Sequence, residues 1–147
     1  MIINDQGLVE VNHYKEVSNV KDYIKLKYCL FTKDFFFENL KEIRNHKKNG
    51  LRIGCDQGIN DLGKYLDAFN LIDINFISFR DGRPFSIARD LREIYHFKKE
   101  IRASGYILPD QFIFLIKCGF NSVEINPQKK ETWFSILKES KGLDYQK

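Results

Sequence analysis

The chain is poor in the residues that usually announce a chemistry. Its three cysteines, Cys29, Cys55 and Cys118, are too few and too scattered for a disulfide framework. No C-x-x-C pair occurs, which leaves no support for an iron–sulfur cluster or a zinc ribbon. His13, His46 and His96 have no ligand-like spacing, so no metal site is expected. No G-x-G-x-x-G and no G-x-x-x-x-G-K-[ST] run is present, so fingerprints for nicotinamide, flavin and nucleoside triphosphates are missing and no cofactor is expected. No apolar run approaches the roughly 18 residues that span a bilayer. The opening MIINDQG has neither a basic segment nor a long apolar one, so a cytoplasmic protein with no membrane partner is expected. The net charge of +4 is a modest excess, that of a solvated surface, and no nucleic-acid-binding motif accompanies it.

What is present is a globular composition, 43% hydrophobic and 30% charged, in 147 residues, which suits one α/β domain over residues 1–147. Thirteen phenylalanines predict an aromatic core. Met1–Asn4 and Leu8–Val11 flank Asp5-Gln6-Gly7 and read as a small N-terminal β-hairpin. Residues 12–22 are polar and read as a loop. Ile24–Leu30 alternates like a strand. Thr32 caps a helix with Phe36, Phe37, Leu40 and Ile43 on its apolar face, Arg44, Lys47 and Lys48 in its last turns and Gly50 at its end. Strands then follow at Leu51–Gly54, Ile74–Phe79, Glu100–Ala103 and Ser122–Ile125. Helices begin at Asn60, Pro84, Pro109 and Pro127 between and after them. The expected fold is a parallel sheet of about five strands built from repeated βα units, either an open sheet or a partial βα barrel.

Such a sheet gathers its polar turns at the carboxyl ends of the strands, where ligands bind. The Asp81-Gly82-Arg83-Pro84-Phe85-Ser86 turn is the leading candidate. Gly82 is read as adopting positive φ, and the helix N-terminus, the Ser86 hydroxyl and the Arg83 guanidinium suit a small oxyanion, with Arg89 one turn on. The competing reading is a well-made turn in which Asp81 bonds local N–H groups. Arg102 is unusual inside a short parallel strand, and a buried guanidinium needs a carboxylate or an anion. Asp81, Asp110 and Asp56 are the acids expected on its edge. Asp81 and Asp110 are the candidate acid–base groups, Asp110 also being explained by the dipole of the helix it opens. Gln111 is a candidate ligand contact. Cys55 would lie on the same edge, without a partner thiol. Cys118 reads as a small buried hydrophobe.

The stretch from Phe76 to Ile125 resembles a small bacterial family described as oxidoreductases of sulfite reduction, for which no reaction is assigned. The family pattern F-x-x-F-x-D-G-R-x-[YF]-S-x-A-R-x-L-R-E is matched by Phe76, Phe79, Asp81-Gly82-Arg83, Phe85-Ser86, Ala88-Arg89 and Leu91-Arg92-Glu93. Its second block is matched by Glu100-Ile101-Arg102-Ala103, Gly105, Leu108 and Asp110-Gln111, and its third by Cys118-Gly119-Phe120. Ser78 departs from the proline that members often carry there. The resemblance covers the whole chain, from Met1-Ile2-Ile3 to Tyr145–Gln146, and is specific only between Phe76 and Ile125. Gly82, Arg83, Ser86, Arg89, Arg102, Gly105 and Gln111, most of them within these motifs, are the candidate ligand-binding residues. The family's description rests on gene neighbourhood, so it implies a pathway rather than a reaction. The expectation is an accessory protein of assimilatory sulfate and sulfite reduction, binding an oxyanion, sulfite reductase or another sulfur-assimilation enzyme. The alternative is a cofactor-free enzyme acting on a small anionic sulfur metabolite.

Overall fold

A computed structural model gives the architecture. It describes residues 1–145, with side chains described through Glu139; Gln146, at the far end of the resemblance, lies outside the described residues. Eight strands form one open, curled sheet, a half-barrel: β1 (Ile2–Asn4), β2 (Val9–Glu10), β3 (Lys15–Glu16), β4 (Tyr28–Thr32), β5 (Lys48–Gly54), β6 (Leu71–Phe76), β7 (Glu100–Gly105) and β8 (Ser122–Glu124). The spatial order is β2-β1-β8-β7-β6-β5-β4-β3. From β3 to β8 every pairing is parallel and sequential. The expected hairpin is present as β1 and β2, but it extends the main sheet, β1 pairing antiparallel with β8. The sheet is therefore mixed and longer than the five parallel strands expected.

Strand alternation sorts the side chains. Ile3, Cys29, Phe31, Leu51, Ile53, Ile72, Ile74, Ile101, Ala103 and Val123 lie in the one core cluster with the helices. Those helices are α1 (Val20–Lys25), α2 (Lys33–Glu38), α3 (Arg83–Glu93), α4 (Phe112–Cys118) and α5 (Lys130–Tyr145), with a 3-10 helix over Asn60–Ala68. The core is aromatic, Phe36 and Phe69 packing 4.8 Å apart between ring centroids. No helix among the described residues is long and apolar enough to cross a membrane.

Three expectations need correction. The segment read as loop then strand holds helix α1, with the Asn19 side chain accepting from the Asp22 N–H at 2.8 Å. Helix α2 ends at Glu38, so Lys47 does not close it. Lys47 instead donates to the Tyr23, Ile24 and Leu26 carbonyls at the end of α1, the Leu26 contact being 2.7 Å. Lys48 and Gly50 belong to β5, because the sheet there takes in both residues and Gly50 leaves room for the Tyr14 ring. The third strand ends at Phe76 rather than Phe79, leaving Ile77–Gly82 as a loop at the sheet's carboxyl edge.

Candidate functional site

The carboxyl ends of β5, β6, β7 and β8 feed loops that form one rim of the half-barrel. The Asp81-Gly82-Arg83 turn stands there. Asp81 Oδ1 accepts from the Arg83 backbone N–H at 3.0 Å, while the Arg83 guanidinium donates to Asp81 through Nε and, at 2.7 Å, through Nη2. The Cys55 thiol, buried at the end of β5, donates to Asp81 Oδ2 at 2.9 Å. This arrangement takes up the first N–H groups of α3 and one edge of the Arg83 guanidinium, which were expected to face an anion. Asp81 already occupies the first N–H of α3, Pro84 has none, and the Phe85 N–H is turned to the Gly82 carbonyl at 3.2 Å. One edge of the Arg83 guanidinium is held by a carboxylate.

The electrostatics agree. The hydrogen bonds from Arg83 and Cys55 hold the Asp81 carboxyl well below the usual carboxylate range, which makes it a weak base. Burial, followed by the Asp81 hydrogen bond and charge, pushes the Cys55 thiol up, away from thiolate reactivity. Gly82 does not take positive φ: it sits at φ −87°, with open space where a Cβ would stand. It is the residue before the first helical turn, and the helix begins at Arg83, one residue ahead of the expected Pro84. Replacing Gly82 with Ala is therefore expected to shift stability by no more than about 0.5 kcal/mol. Urea denaturation of both proteins checks this, and a shift of several times that size would contradict the geometry.

The remaining candidates separate. Arg83 and Ser86 share a shallow cleft of about 350 Å³ with Cys55, Asp56 and Asp90, an acidic surrounding for an anion. Arg89 directs Nη2 at Cys118 Sγ, 3.7 Å away, and Cys118 is buried at the end of α4. Asp110 is exposed in the single turn Pro109–Gln111. Gln111 ties two rim loops together, its Oε1 accepting from the Leu108 N–H at 2.9 Å and its Nε2 donating to the Phe79 carbonyl at 3.2 Å. Gly105 has φ +87°, and a Cβ there would stand 2.3 Å from the Phe76 carbonyl oxygen.

Arg102 is the largest displacement from expectation. It does not pair with Asp81, Asp110 or Asp56. It lies on the sheet face turned away from the helix-packed core, 4% exposed, and donates to Glu100 at 2.9 Å, to Ser122 at 3.3 Å and to Asn12 at 3.2 Å. Its register neighbours reveal a polar belt that runs across six strands: Thr32, Arg52, Asp73, Arg102, Ser122 and Asn4. At its centre Asp73 is 0% exposed and accepts from Arg52 Nε at 2.9 Å. Burial pushes the Asp73 carboxyl up, against the pull of Arg52. Sequence reasoning missed Arg52 and Asp73. Their signal was available, since each breaks an otherwise apolar strand at the position that alternation turns away from the helices.

The rim also gathers exposed apolar side chains. Ile77 (58% exposed) and Phe79 come from the β6–α3 loop, Tyr106 (69% exposed) and Leu108 from the loop after β7. Phe79, Tyr106 and Leu108 line one cleft of about 330 Å³, floored by Trp133 and edged by Glu124 and Lys129. Among the described residues, no three His, Cys, Asp or Glu side chains are placed to hold a metal ion.

A family model described as bacterial protein of unknown function (DUF934) matches residues 50–147, which takes in the rim turn, the clamp at Gln111 and most of the belt. No curated protein and no solved structure matches the chain.

Proposed function

The chain belongs to this bacterial family of unknown function, and we propose that it is an accessory protein of sulfite reduction that docks on sulfite reductase through the carboxyl rim of its half-barrel. The pathway is the one implied by the sequence resemblance. The observation that carries the docking is the cluster of Phe79, Tyr106 and Leu108, exposed on two adjacent loops around one cleft. Exposed aromatic side chains grouped around a pocket, with polar residues at the border, make a recognition surface. Gln111 holds the two loops in register through their backbones, which is a positioning role. The Asp81–Arg83 pair, with Arg83 largely exposed, forms the charged border.

Docking accounts for the rim better than oxyanion binding does. Arg83 and the first N–H of α3 are already committed to Asp81, and Arg102 to Glu100, Ser122 and Asn12. It also accounts for the rim better than acid–base catalysis at Asp81, whose carboxylate is held ionised. The test is capture of sulfite reductase by the tagged protein from cells assimilating sulfate. Wild type is expected to retain sulfite reductase and Tyr106→Ser to lose it. Equal retention by the two, or none by wild type, would reject the docking reading.

A further inference from the structure

The cleft beneath Phe79, Tyr106 and Leu108 has a charged side that docking does not use. Its floor is Trp133, 3% exposed, and two opposite charges border it, Glu124 and Lys129. Glu124 closes β8, with Val123 before it in the core. The chain then turns back on itself over Pro127–Lys129. Asn126 Oδ1 accepts from the Gln128 N–H at 3.0 Å, and the Asn126 carbonyl accepts from the Lys129 N–H at 2.8 Å. That turn sets Lys129 at the same cleft as Glu124. Among the described residues neither side chain makes an ion pair, with each other or with any third residue, or a hydrogen bond. Asp81 and Arg83, elsewhere on the rim, answer one another.

One acid and one base, unpaired, beside an apolar floor are complementary to a molecule with the opposite charges next to an apolar group. A free α-amino acid has that make-up. Its ammonium group donates to a carboxylate and its carboxylate accepts from an ammonium, both as charge-assisted hydrogen bonds. Its side chain then lies on Trp133, between the Phe79 and Tyr106 walls. The cleft, about 330 Å³, is at the small end of ligand pockets, which suits one small molecule. The apolar lining selects the side chain as well. A hydroxyl or amide carried onto Trp133 would lose its water without gaining a partner there.

We propose that this cleft binds a free α-amino acid with an apolar side chain, its ammonium group at Glu124, its carboxylate at Lys129 and its side chain over Trp133. The walls are shared with the docking surface, so the amino acid and the partner compete for Phe79 and Tyr106. Binding is read on the purified chain alone, so it can fail while capture of sulfite reductase succeeds, and the reverse. Trp133 is the single tryptophan of the chain, and its fluorescence therefore reports this cleft. Titration with L-leucine and with L-phenylalanine is expected to change that fluorescence saturably, one to one, at millimolar concentration for at least one of them. Isocaproate and hydrocinnamate, which lack the ammonium group, and isoamylamine and phenethylamine, which lack the carboxylate, are expected to bind roughly tenfold more weakly than the parent amino acid. Glu124→Gln and Lys129→Gln, which break no described ion pair, are expected to fold as wild type and each to weaken amino-acid binding roughly tenfold. No saturable change with either amino acid, equal binding of an analogue that lacks one charge, or unaltered affinity in either variant would each overturn the proposal.

Discussion

Gly105→Ala is expected to lower stability by about 3–4 kcal/mol, a fall in melting temperature on the order of 10 °C. Two causes add. At φ +87° an L side chain is strained, and its Cβ would stand 2.3 Å from the Phe76 carbonyl oxygen and 3.1 Å from the Phe76 nitrogen. That carbonyl accepts the Tyr106 N–H at 2.9 Å, so relief of the clash disturbs the pairing of β6 with β7 where Tyr106 is launched onto the rim. The contrast with Gly82 matters. Both glycines stand at the rim, both fall within the stretch that the family model matches, and only one is required by backbone geometry. Calorimetry of the three proteins decides it, and a Gly105→Ala variant melting with wild type would show that β7 turns off the sheet in another way.

Arg52→Ala is expected to be as damaging, and in a pH-dependent manner. It strips the buried Asp73 carboxylate of its ion-pair partner, a change that typically costs about 3–5 kcal/mol. The sign follows from linkage. Burial already raises the folded-state titration of Asp73 above its unfolded value, and losing Arg52 raises it further. The unfolded chain then gives up its proton first, so stability is greatest below the ordinary carboxylate range and declines as pH rises through the folded-state value. The deficit of Arg52→Ala against wild type should therefore be larger at neutral pH than near pH 4. Adding Asp73→Asn should recover part of it, since the double variant buries no charge there. A deficit that is the same at both pH values, or a double variant no better than the single, would contradict the picture of a charged belt.

Much of the half-barrel was legible because its signals are local. Strong punctuation survived: the β1–β2 hairpin, the strands around Ile53 and Ala103, and the helix start at Pro109. Helix α1 was not legible, because Ile24, Leu26, Tyr28 and Leu30 alternate across a helix end and a strand start. Ile24 proves 66% exposed, and only the Asn19 cap reported the helix. The β6 boundary slipped because Ile77 and Phe79 are apolar but belong to the rim, where they serve exposure rather than burial. At the site, the Asp81–Arg83 turn stands on the expected edge, and Asp81 accepts the Arg83 N–H as the reading of a well-made turn has it. Local sequence shows that two charges are near each other, not that they satisfy one another. Arg102 was singled out for the right reason and assigned the wrong partners. Glu100 is two residues away on the same face of one strand, and Asn12 reaches it from the far end of the chain.

The central claim is that exposed apolar side chains on the rim carry the protein's function. Its most direct test is the affinity of the purified chain for purified sulfite reductase, measured for wild type and for Phe79→Ser/Tyr106→Ser. Both positions are exposed loop side chains, so the double variant should fold normally. The account predicts a saturable wild-type complex that the double variant weakens by roughly a hundredfold, the loss expected when two interface anchors are removed. Equal affinity of the two proteins, or no complex with wild type, would contradict it.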